Sequence, residues 1–90
     1  MVRKREVSGT REHGTEVTQT KSGKERISAL RRIVSRGQYA KIDGVMVDTY
    51  SASSILAIYN ALSPASKAKM ESFSIGKMAD VSFKLLAKQR

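Results

Sequence analysis

The chain has 90 residues, with 17 Lys and Arg against 8 Asp and Glu for a net charge of +9, and it contains no Cys. That length suits one small domain; a disulfide or thiolate site is excluded, and the lone His13 cannot assemble a metal centre from Cys or His neighbours. No apolar run is long enough to cross a bilayer, and the basic start Met1-Val2-Arg3-Lys4-Arg5 is not followed by the apolar segment of a secretory signal, so the expectation is a soluble intracellular protein.

The charge is uneven. Residues 1–41 hold eleven Lys or Arg against four acids, and residues 42–90 hold six against four. Such a charge favours anionic partners, namely nucleic acid, an acidic protein or an anionic membrane surface, of which nucleic acid or an acidic protein surface, and no membrane, is the expectation. The first 21 residues mix Arg, Glu, Thr and Gly with isolated Val, too little apolar surface to offset the entropy of ordering, and read as a flexible basic arm. Residues 22–90 read as one small domain.

Ser22-Gly23-Lys24-Glu25 is a capping box, in which the Ser hydroxyl accepts from the amide three residues on and Glu25 reaches back to the cap amide. A helix is predicted from here to Gly37, which suits a left-handed C-terminal cap. Ile27, Leu30, Ile33 and Val34 share one side at helical spacing. The other side carries Lys24, Arg31, Arg32 and Arg36. Arg32 and Arg36 are four apart and repel one another, and no acid on the helix stands at the spacing that would neutralise them. A solvated helix face is the plain explanation, with Arg36 favoured near the negative end of the helix dipole. The chain-wide charge and the basic arm weigh towards a bound oxyanion, which the planar guanidinium grips with two parallel hydrogen bonds.

Asp43-Gly44 between two β-prone runs predicts a hairpin with a two-residue turn that needs positive φ at both positions. Ile42 then opposes Val45 and Ala40 opposes Val47, so these four form an apolar face, with Tyr39, Lys41, Met46 and Asp48 on the other. Lys41 and Asp48 are diagonal neighbours that can pair. Thr49-Tyr50-Ser51 supplies cap candidates for a central helix from Ala52 to Leu62, with Ile55, Ile58, Tyr59 and Leu62 at i, i+3, i+4 and i+7. Leu56 and Ala57 widen its apolar surface. Ser63-Pro64 stops this helix and starts a short one to Ser72.

Ser74 caps a last helix with a wide apolar arc of Ile75, Met78, Ala79, Val81, Phe83, Leu85 and Leu86. Asp80 precedes Lys84 by four residues, the favourable order for a pair. Ser82 lies within the arc, where its hydroxyl can bond back to a carbonyl of the preceding turn. The arc reads as core, with a partner face as the alternative. The fold class is α+β: a basic arm, an amphipathic helix, and a β-hairpin packed on two or three C-terminal helices.

Chemistry has little to work with. Asp43, Asp48, Glu71 and Asp80 are spread over separate elements, the serines at 51, 53 and 54 lack a histidine base, and no phosphate loop is present. The expectation is a non-enzymatic protein without a cofactor or metal. A helix-turn-helix around Ser63-Pro64 fits poorly, because the second helix is short and carries no Arg, Asn or Gln to read base edges. Backbone binding of nucleic acid through Arg3, Lys4, Arg5, Lys24, Arg31, Arg32 and Arg36 fits better and would be salt-sensitive. The alternative is an adaptor that binds a protein, using the mixed face of Tyr39, Lys41, Met46, Asp48 and Tyr50 and the open hairpin edge.

The run YAKIDGVMVDTYSAS, continuing through ILAIYNALSPASKAKM to KMADVSFKLL, resembles small uncharacterised proteins of tailed bacteriophages, especially those infecting actinobacteria, with a similar KIDG...VD...SAS core and a variable basic front. It covers roughly the last fifty residues. The resemblance implies a phage gene product that acts in the cytoplasm of an infected bacterium or is carried in the virion, with a virion or host protein as a possible partner. It transfers no functional residue.

Overall fold

The computed structural model describes residues 16–88. The order is β1 (Glu16–Thr18), α1 (Gly23–Arg36), β2 (Ala40–Ile42), β3 (Val45–Val47), α2 (Thr49–Ala61), α3 (Pro64–Glu71) and α4 (Ile75–Lys88). This is an α+β fold, with a three-stranded sheet in the order β1-β2-β3.

Local chemistry accounts for most of the boundaries. At the start of α1, the Ser22 hydroxyl accepts from the Glu25 amide at 3.2 Å, and the Glu25 carboxylate accepts from the Lys21 amide at 2.6 Å, one residue before the cap. Gly37 ends the helix at φ 66°, and its amide bonds back to the Ile33 and Val34 carbonyls. Asp43 and Gly44 both have positive φ, 50° and 82°, and the strands pair Ile42 with Val45 and Ala40 with Val47 as the turn predicts. Asp48 caps α2, its Oδ1 accepting from the Ser51 amide at 2.7 Å, so the helix starts at Thr49 rather than at Ala52. Ser63, followed by Pro64, caps α3, and the Ser74 hydroxyl accepts from Lys77 at the head of α4.

α2 is the central helix: Ala52, Ile55, Leu56, Ile58 and Tyr59 are buried, and it packs against α1, α3 and α4. α1 adds Ile27, Leu30 and Ile33 to the core, β2 adds Ala40 and Ile42, and Val47, Met70, Ile75 and Met78 complete it. The sheet covers this core with one face only.

Three expectations need correction. The flexible arm does not extend to Lys21: β1 pairs in parallel with β2, Glu16 against Ala40 and Thr18 against Ile42, and the Asp43 amide donates to the Thr18 carbonyl at 2.8 Å. Residues 1–15 of that arm lie outside the described residues. The hairpin is therefore two-thirds of a sheet, and α1 is the crossover that two parallel strands require. Val45 shares the core side with Ile42 by register, yet it keeps 40% of its surface exposed, because it stands on the edge strand beside the turn. Ser82 is fully buried, but its hydroxyl has no hydrogen-bond partner, so the bond to the preceding turn is not made.

Candidate nucleic-acid interface

The cations of α1 divide by helical phase. Arg26 lies four residues before Leu30 and seven before Ile33, inside the apolar stripe, and it is half-buried. Its guanidinium donates from Nη1 to the Thr20 hydroxyl at 3.3 Å and from Nη2 to the Glu71 carbonyl at 3.0 Å. Thr20 in turn donates its amide to Asp43 Oδ1 at 2.6 Å and its hydroxyl to Asp43 Oδ2. At the far end the Tyr59 hydroxyl donates to the Glu71 carboxylate. One polar chain thus ties the β1–α1 loop, the hairpin turn, α1, α3 and α2 together.

This network shifts its titrating members. The hydroxyl and amide hydrogen bonds from Thr20, aided by the Arg26 charge, hold the Asp43 carboxyl below its usual range. The bond to Glu71, and then burial, push the Tyr59 phenol up. Asp43 and Arg26 accordingly belong to the scaffold.

The remaining cations face outwards. Lys24, Arg31 and Arg36 are exposed and Arg32 is half-buried, all on the side of α1 turned away from the core. The sequence of the helix offers Arg32 and Arg36 no acid, but β1 does: Glu16 Oε1 stands 3.3 Å from Arg36 Nη1 and 3.9 Å from Arg32 Nε. The face is therefore partly paired, contrary to its reading as unpaired. Such exposed pairs contribute little and are open to exchange with a competing anion.

Lys24, Ser28 and Arg32 follow one another at i+4 spacing and form a ridge along α1. Beside it runs the segment from Thr18 to Thr20, and the two enclose an open groove of about 410 Å³ lined also by Gln19 and Glu25. Hydroxyls, an amide and two cations meet there with one carboxylate. Arg3, Lys4 and Arg5 lie outside the described residues.

The second predicted surface is only partly assembled. Val17, Lys41 and Met46 stand side by side on the open face of the sheet, with Met46 at 53% and the neighbouring Tyr39 at 47% exposure. Asp48 is taken up in capping α2, where the Ser51 amide holds its carboxyl below the usual range, and this is why it is not a partner for Lys41. Tyr50 is 64% exposed and stacks on Phe83 of α4, with ring centroids 6.3 Å apart and planes 13° from parallel. Among the described residues no group of three or more His, Cys, Asp or Glu side chains is placed to hold a metal ion, and no helix is long and apolar enough to cross a membrane.

Comparison with known protein families, with curated proteins and with solved structures found no match to this chain.

Sequence reasoning missed Glu16, Thr20 and Arg26 as structural residues. For Arg26 a signal was present, since a cation in phase with Leu30 and Ile33 must either find a buried acceptor or break the stripe. For Glu16 and Thr20 none was, because their partners lie far along the chain.

Proposed function

We propose that this chain is a non-enzymatic accessory protein that engages nucleic acid, or a nucleic-acid-containing assembly, through its basic N-terminal segment and the outer face of α1. The observation that supports it is the row of outward cations on one helix, Lys24, Arg31, Arg32 and Arg36, in a chain of net charge +9. Their contacts would fall on the phosphate backbone, which the helix can track without reading base edges. The hydroxyls of Thr18 and Ser28 in the adjoining groove add donors of the kind that backbone contacts use. The resemblance to tailed-phage proteins supports an infected bacterium or the virion as its place of action.

The test is binding to random duplex DNA, single-stranded DNA and RNA across a salt series. Four cations of α1 alone lead to a log–log slope of about −3 to −4 on duplex, steeper with the basic arm. Charge reversal at Arg31, Arg32 and Arg36 together is expected to abolish binding while the circular dichroism of the fold persists. Absence of binding at low salt, or unchanged affinity in the triple variant, overturns the proposal.

An adaptor role is the second reading. Its support is the exposed sheet face of Val17, Lys41 and Met46, with β3 at the edge of the sheet among the described residues, where strand addition would occur. A partner that survives nuclease treatment and high salt in a pull-down, and is lost on Met46→Lys, would favour it.

A further inference from the structure

A second groove, of about 320 Å³, lies between the end of α2, α3 and α4. Its lining is mainly apolar: Leu62, Met70, Phe73, Val81 and Leu85, with Ser66 and Lys69 as the polar members. Four of the five apolar side chains are only partly buried, so the groove is a place where the core remains open to water. The volume is in the range that holds an anchoring side chain or two.

The surroundings of the groove are rich in lysine. Lys69 stands on the α3 bank. On α4, Lys77, Lys84 and Lys88 flank the stripe of Val81 and Leu85 by helical phase. Lys77 Nζ lies 4.9 Å from the centroid of the ring of Phe73, one of the residues that line the groove. Asp80 is the acid on this flank, and Lys84 Nζ already holds it at 3.3 Å. Among the described residues Lys69, Lys77 and Lys88 have no carboxylate within ion-pair distance.

We infer that this groove is a docking site for an acidic amphipathic helix of a different protein, whose apolar residues fill the floor while its carboxylates meet Lys69, Lys77 and Lys88. The charge disfavours the nearer occupants. Residues 1–15 carry four Arg or Lys against two Glu and would be repelled, and a second copy of a chain with net charge +9 meets the same sign. None of the residues that line this groove belongs to α1, so the proposal does not rest on the function assigned to that helix. Helix-in-groove recognition asks for apolar anchors at i, i+3, i+4 and i+7 on the partner, and the lysine banks ask for Glu or Asp beside them.

The test uses full-length protein and a fluorescein-labelled peptide of about 14 residues, with Leu and Phe at those four positions and Glu at most others. A scrambled peptide of the same composition and vesicles containing phosphatidylglycerol serve as comparisons. The expected result is saturable binding of the amphipathic peptide with amide shifts centred on Leu62, Met70, Phe73, Val81 and Leu85, undisturbed by an excess of duplex DNA. Lys69→Glu with Lys77→Glu, both on exposed positions, is expected to weaken it about tenfold or more with circular dichroism unchanged. Val81→Asp should do the same through the floor. Equal binding of the scrambled peptide, shifts centred on α1, binding of vesicles but not of the peptide, or no binding at all would each overturn the inference.

Discussion

Gly23 is the residue on which the approach of α1 to α3 depends. A Cβ built there would lie 2.0 Å from the Glu71 carbonyl oxygen, 2.4 Å from Glu71 Cβ and 2.5 Å from its carbonyl carbon, where ordinary contact begins at 3.4 Å. Two of these atoms are backbone, so no rotamer change relieves the clash and the two helix ends must separate. That movement would also stretch the bond from Arg26 Nη2 to the same Glu71 carbonyl and disturb the one from the Tyr59 hydroxyl to the Glu71 carboxylate. Overpacking of this kind costs about 1–3 kcal/mol, and Ala regains well under 1 kcal/mol of helix propensity at the first helical position. Gly23→Ala is therefore expected to lower stability by about 1–3 kcal/mol, or Tm by about 5–20 °C in a domain of this size. Gly76→Ala is the matched control: it lies in α4 with nothing within 4 Å of the added atom. It should be neutral or stabilising by up to about 1 kcal/mol. Urea unfolding followed by circular dichroism measures both. A Gly23→Ala protein as stable as the parent would refute the close α1–α3 contact and the polar network built upon it.

Ser82→Ala removes a fully buried hydroxyl that has no partner and puts a better helix former in its place; the expected gain is about 1 kcal/mol, and a lower Tm would mean that the hydroxyl is satisfied. The pH profile has an acid arm. Because the folded pKa of Asp43 is depressed, chiefly by Thr20, its contribution is present above the ordinary carboxylate pKa and is lost as pH falls through the lower folded value. Asp43→Asn, which still tolerates the positive φ of the turn, should flatten that arm in thermal melts below neutral pH; an unchanged profile would reject the assignment. The alkaline arm runs the other way. Tyr59 has a raised folded pKa, so its bond to Glu71 stabilises below the ordinary phenol pKa and is lost as pH rises through the folded value. Tyr59→Phe should cost about 1 kcal/mol at neutral pH and lose that alkaline dependence.

Much of the fold was legible because its signals are local. Ser22, Gly37, Asp43-Gly44, Ser63-Pro64 and Ser74 each act within a few residues, and each forms the cap or turn that its chemistry requires, although Glu25 turns back to the Lys21 amide rather than to the cap amide of the predicted box. Ile27, Leu30 and Ile33 of α1 and Ile55, Ile58 and Tyr59 of α2 are buried as the helical period places them, whereas Val34 and Ala57, assigned to the same apolar surfaces, are exposed. The candidate α1 face was legible for the same reason, since phase places Lys24, Arg31, Arg32 and Arg36 away from the core.

β1 was not legible. Its three residues offer one exposed Val, and what holds them is backbone pairing to β2, a neighbour more than twenty positions away. Ser82 misled in the opposite direction, as a local bond was available to it and the helix did not use it.

Helix limits, turn type, strand register and the excess of positive charge were thus determined by the sequence itself, because capping, φ preference and side-chain period operate over spans shorter than a single element. Only the tertiary structure decided that α1 crosses between parallel strands and that Glu16 meets Arg32 and Arg36. The same holds for Arg26 joining Asp43, through Thr20, to Glu71, and for the lysine-edged groove between α3 and α4. These depend on groups far apart in the chain arriving within a few ångströms of one another, and no local propensity encodes that meeting.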